Sequence, residues 1–178
     1  MFEIVDIKNI HDISEYDDFR VSLKATFFTI VTNIKIDITT GDLIIPHEVD
    51  YCYKLMFEDR SIAIKAYNIN TILAEKIETV LARNVSNTRA RDFYDIYVLM
   101  TLHENDIDRQ GLCAAVWEKA ADRNSVAFIQ NYQKHIADIN NSPEVARIWI
   151  AYCAKYSYAQ GIKLGDILSI IEKVLTIE

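Results

Sequence analysis

A change of periodicity near residue 68 limits most what this chain can fold into. Ahead of it, β-branched and aromatic residues gather in short runs, and residues 20–25, 26–38, 43–45 and 61–67 read as strands. Asn33-Ile34-Lys35-Ile36-Asp37-Ile38 alternates strictly, which puts the three isoleucines on one face of a strand and Asn33, Lys35 and Asp37 on the other. Thr39-Thr40-Gly41-Asp42 carries turn chemistry and leads toward the short run at 43–45. Beyond residue 68 the apolar spacing becomes helical, predicting helices over 69–85, 89–104, 109–123, 125–139, 143–160 and 165–176. Pro143 suits the first helical position behind a Ser142 cap, and Gly161 and Gly165 bracket a break before the last helix. The expected fold class is α+β, with a β-rich part over 1–68 and a helical bundle over 69–178.

With 51% apolar and 25% charged residues, and only 4 Gly and 2 Pro, the chain has enough apolar surface to fold and is not low-complexity. Charges interrupt every apolar run too early for a membrane span, and the acidic N-terminus lacks the basic start of a signal peptide. Cys52, Cys113 and Cys153 form no CxxC pair, which fits structural thiols in a reducing cytoplasm and no zinc site. A net charge of −7 argues against a general nucleic-acid binder, but the charge is uneven. Residues 60–91 hold six bases against two acids, a candidate anion site inside an acidic protein.

That stripe falls on two helices. On the first, Ile69, Leu73, Ile77, Val80 and Leu81 share an apolar face, with Glu75, Glu78 and Thr79 on the opposite, solvated side. Lys76 lies at the margin of the apolar stripe, with Arg83 and Asn87 farther along the same meridian, so it must snorkel or meet a fixed anion. On the second, Asp92 occupies the first turn, where the helix dipole favours a carboxylate. Asp95 falls one turn deeper among apolar neighbours and needs a cation; Lys76, Arg83 and Arg91 are the nearest in sequence. Two readings follow: an ion pair joining two helices, or a lysine held by an aspartate so that its ammonium points at a phosphate. Asp37 taken alone reads as an exposed strand carboxylate. His103 and His135 carry no assigned role, and the tyrosines of 152–158 read as helix packing.

Ile72-Leu73-Ala74-Glu75-Lys76-Ile77 and Arg89-Ala90-Arg91-Asp92-Phe93-Tyr94-Asp95-Ile96-Tyr97 resemble the paired motifs of the AbiEii/AbiGii toxins. These are nucleotidyltransferases of type IV toxin–antitoxin systems, associated with abortive infection. Ile36-Asp37-Ile38 is similar to that family's strand bearing the third active-site carboxylate, and the resemblance spans roughly residues 18–100. It implies a partial polymerase-β-type sheet followed by a helical bundle. It also implies nucleotide transfer in the cytoplasm from an NTP to a hydroxyl acceptor, RNA or tRNA, with an AbiEi-like antitoxin as partner and no membrane association. By resemblance Asp37 is a catalytic metal ligand and Lys76 contacts nucleotide phosphate. Arg83 and Arg91 add positive charge for the nucleotide, and Asp92 or Asp95 orients Lys76.

The departure concerns the family's Gly-Ser followed by Asp-x-Asp, which contacts triphosphate and holds Mg²⁺. No Gly-Ser occurs in the 178 residues, and Asp17-Asp18 is adjacent rather than alternating, so its carboxylates would diverge on a strand. Asp37 alone does not satisfy Mg²⁺, which is expected only where the acidic pair is supplied. The resulting expectation is a chain truncated at its N-terminus and inactive without a complementing segment. The alternative is a non-catalytic module that binds a nucleotide, an RNA phosphate or an antitoxin.

Overall fold

The computed structural model describes residues 1–10 and 18–176, arranged as two compact units, 1–43 and 44–178. The first unit is an antiparallel sheet of β1 (Phe2–Asn9), β2 (Phe19–Phe27) and β3 (Ile30–Ile38), with β2 in the centre. Pairing of Ile34 with Leu23, Ile36 with Val21 and Ile38 with Phe19 gathers the alternating isoleucines on one apolar face, as expected. The other face pairs Asn33 with Lys24, Lys35 with Ser22 and Asp37 with Arg20. The long run 26–38 is broken by a turn at Phe28, which takes a left-handed φ of 51°. Neither Gly nor Asn marks that turn in the sequence. The sequence pattern does not reveal strand β1, whose alternation is offset by a register irregularity between Ile4 and Asp6.

The second unit opens on an antiparallel hairpin, β4 (Val49–Lys54) with β5 (Ser61–Ala66). Residues 43–45, expected as a strand, do not form one. The Ile45 N–H donates to Thr71 Oγ1 at 2.9 Å, and the Ile45 carbonyl accepts from the Asn68 amide and the Thr71 hydroxyl, each at 2.9 Å. Side-chain partners therefore satisfy the backbone that a ladder would otherwise pair. Secondary structure changes from strand to helix between Ala66 and Ile69, while the compact units divide earlier, between Leu43 and Ile44. The Asn68 bridge to Ile45 and His47 ties the start of this unit to its first helix.

Seven helices follow among the described residues: α1 (Ile69–Arg83), α2 (Ala90–Leu102), α3 (Arg109–Asp122), α4 (Val126–Gln130), α5 (Tyr132–Asn141), α6 (Pro143–Lys155) and α7 (Leu164–Leu175). The helix expected at 125–139 is two, divided at Asn131, and the one expected at 143–160 ends at Lys155. Ser142 caps α6 as expected, its Oγ accepting from the Val145 N–H at 3.3 Å with Pro143 in the first turn. Gly161, at φ 85°, lies in the break after α6, whereas Gly165 lies within the first turn of α7. The main hydrophobic core, from Leu73 and Ile77 through Phe93, Ile96 and Leu112 to Ile171 and Val174, belongs to this unit. The whole is α+β.

Candidate active site

Two asparagines set the frame. Asn68 caps α1, its Oδ1 accepting from the Thr71 N–H at 2.8 Å, and this fixes where the helix begins and hence the azimuth of Lys76. Asn87, fully buried, accepts from the Arg89 N–H at 2.9 Å immediately before α2. Between the two helices the Lys76 Nζ donates to Asp92 Oδ1 at 3.0 Å and to Asp95 Oδ2 at 2.7 Å. All three side chains are mostly buried, at 21%, 15% and 23% exposure. One ammonium thus bridges two carboxylates spaced i and i+3 on one face of α2.

Burial works against the charged form of Lys76, but the hydrogen bonds to Asp95 and Asp92 and the charges of both outweigh it, raising its pKa above the ordinary lysine value. The exposed Arg91 brings its Nε to 3.8 Å from Asp95, so the cluster carries two cations against two anions. Lys76 opens onto a cavity of about 240 Å³, lined also by Tyr67, Ile72, Glu75, Arg89 and Asp92. An ammonium so held is restricted in position and presents its charge to an anion entering the cavity.

Lys76, Asp92, Asp95 and Arg91 therefore come together, and both aspartates rather than one hold the lysine. Arg83 does not join them: it is exposed in the last turn of α1 and makes no ion pair among the described residues. Asp37 lies in the first unit, where Arg20 clasps it with Nε at 2.6 Å from one oxygen and a terminal nitrogen at 2.7 Å from the other. That two-pronged bond holds the Asp37 carboxyl below its usual pKa.

Among the described residues no group of three His, Cys, Asp or Glu side chains is placed to hold a metal ion. With both oxygens of Asp37 on Arg20, these residues do not by themselves fit Mg²⁺. Asp17 lies outside the described residues, and Asp18 Oδ1 accepts from the Thr40 N–H at 3.4 Å. Asp106 and Asp108, which flank Ile107, do not lie on a strand. Asp106 meets His103 at 3.2 Å, and Asp108 caps α3.

One expectation for α1 is corrected. Glu78 is not solvated but buried, its carboxylate receiving Ser125 Oγ at 2.7 Å and Arg123 at 2.9 Å. Arg123 also reaches Glu75 at 3.2 Å. Helix α3 packs along that side of α1, which the periodicity of α1 alone does not reveal. The tyrosines of 152–158 pack beside α2, as expected. Tyr94 lies 4.7 Å from Tyr158 between ring centroids, and Tyr152 shares a 3.2 Å hydrogen bond with the Tyr158 hydroxyl.

No curated protein and no solved structure matches the chain. The family model of the nucleotidyl transferase AbiEii toxin, type IV toxin–antitoxin system, matches residues 1–161 and so takes in both the Arg20–Asp37 pair and the Lys76 cluster. With the match extending over most of its length, the chain belongs to the AbiEii nucleotidyltransferase toxin family, one half of a toxin–antitoxin pair.

Proposed function

We propose that this chain carries the phosphate-holding half of a nucleotidyltransferase that acts in the cytoplasm, moving a nucleotide from an NTP to a hydroxyl on RNA or tRNA. The acceptor hydroxyl attacks the α-phosphorus and pyrophosphate leaves. The observation that carries this reading is Lys76, fixed between Asp92 and Asp95 at the wall of a cavity and kept charged by them. In this role Lys76 touches a nucleotide phosphate, Arg91 supplies further positive charge, and Asp92 and Asp95 position the ammonium. Arg83 contributes long-range charge from the end of α1. Mg²⁺ binding, with Asp37 as one ligand, requires Arg20 to yield that carboxylate and further carboxylates to be supplied. An AbiEi-like protein is the proposed antitoxin.

Calorimetric titration with each NTP tests the phosphate site. Binding by the wild-type chain and its loss in Lys76→Ala are expected, with Lys76→Arg retaining part of it; no heat from any NTP at about millimolar concentration, the weak end of useful affinity, sinks the reading.

A second reading, a non-catalytic nucleotide- or antitoxin-binding module, is favoured by the commitment of both Asp37 oxygens to Arg20. Supplying a Gly-Ser…Asp-x-Asp segment in trans separates the two. Transfer of labelled nucleotide to RNA on complementation favours the enzyme, and NTP binding with no transfer favours the module.

A further inference from the structure

The second unit contains a larger cavity, about 710 Å³, between the N-terminal turn of α2 and the C-terminal end of α6 with the turn after it. Arg89, Arg91 and Lys155 line it, against a single carboxylate, Asp92, which Lys76 already holds. In a chain of net charge −7 this is a local surplus of positive charge. Facing these cations are Tyr152, Tyr156 and Tyr158. The Tyr156 and Tyr158 rings stack at 5.3 Å with 23° between their planes, and Lys155 Nζ lies 5.2 Å from the Tyr156 centroid. Tyr158 is 55% exposed, leaving ring surface open that packing does not consume.

Cations alone would suit any phosphate, and tyrosines alone any apolar ring. Together, in a volume within the usual range for small-ligand pockets, they match an aromatic base joined to a phosphate. We propose that the α2–α6 cavity binds one unpaired nucleotide unit, with its base against the Tyr156–Tyr158 stack and its phosphate on Arg91 and Lys155. Arg89 and Asp92 line both this cavity and that of Lys76, so the two sites adjoin. Taking the occupant as the acceptor nucleotide rests on the function proposed above; the binding site itself does not.

The test uses the full 178-residue chain at low ionic strength. Fluorescence anisotropy follows a short, labelled, single-stranded oligoribonucleotide, and calorimetry follows AMP. Tyr158→Ala and Lys155→Ala should each weaken binding about tenfold, while Tyr158→Phe, which keeps the ring, should bind as wild type. Circular dichroism melts confirm folding, and the exposed Lys155 gives a second variant that leaves every ring in place. Binding of the oligonucleotide but not AMP identifies a strand as the source, and binding of AMP but not the oligonucleotide identifies free nucleotide; either supports the site. Absence of binding by both ligands, or binding that survives both alanine substitutions, overturns it. Oligonucleotide binding that persists when no NTP binds at Lys76 overturns the function proposed above and leaves this cavity standing.

Discussion

Lys76 meets two carboxylates where one would balance its charge, and this sets how it responds to pH. Its pKa is raised, so its contribution to stability is complete below the ordinary lysine value and is lost as pH rises through the higher folded one. The difference in melting temperature between wild type and Lys76→Met should therefore stay constant through neutral pH and shrink above about pH 10. A difference that disappears between about pH 6 and 9 would contradict the two-carboxylate clamp. Glu78 offers a contrast on the same helix. Glu78→Gln, at a buried site with three donors, should cost about 1–3 kcal/mol in denaturant unfolding, whereas Glu75→Gln, nearer the surface, should cost about 0.5 kcal/mol or less. Equal effects would show that the buried Ser125 contact contributes nothing.

Helix α1 is capped at its start by a residue with two roles. Asn68 caps it with one side-chain atom and holds the carbonyls of Ile45 and His47 with the other, at 2.9 and 2.6 Å. Asn68→Asp keeps the cap but places an oxygen against those carbonyls. It should cost about 1–3 kcal/mol in thermal unfolding, and a neutral result would mean that the two Thr71 bonds to Ile45 suffice to hold the segment. The sequence displays helices such as α1 and α2 clearly, because Leu73, Ile77, Phe93 and Ile96 recur at helical spacing. It displays β3 equally well through Ile34, Ile36 and Ile38. What it hides depends on partners distant in the chain or on local irregularity. Glu78 reads as solvated until Arg123 and Ser125 arrive, β1 loses its alternation at a bulge, and Phe28 turns without a turn residue. Of the candidate site, the Lys76–Asp92–Asp95 cluster is legible because a lysine at an apolar margin and an aspartate among apolar neighbours each demand a partner. The engagement of Asp37 by Arg20 needed the strand register.

At the scale of the whole molecule, the main core lies in one of the two units. Residues 44–178 expressed alone should therefore unfold cooperatively with helical circular dichroism, while residues 1–43 alone, three strands bearing exposed Phe2, Ile4, Ile7, Ile36 and Ile38, should be unfolded or aggregate. A non-cooperative melt of 44–178 would show that the sheet is needed for the helical core. The aromatic packing inside that unit has an optical consequence. Trp149 lies 5.7 Å from Tyr152 in a near-parallel stack at 18°, Tyr152 lies 4.7 Å from Tyr156, and Tyr156 stacks on Tyr158. The rings form a chain running from a buried indole to the mouth of the α2–α6 cavity. Light absorbed by these tyrosines passes to Trp149, so with Trp117 replaced by phenylalanine the remaining indole emission becomes a built-in, label-free gauge of whatever enters there.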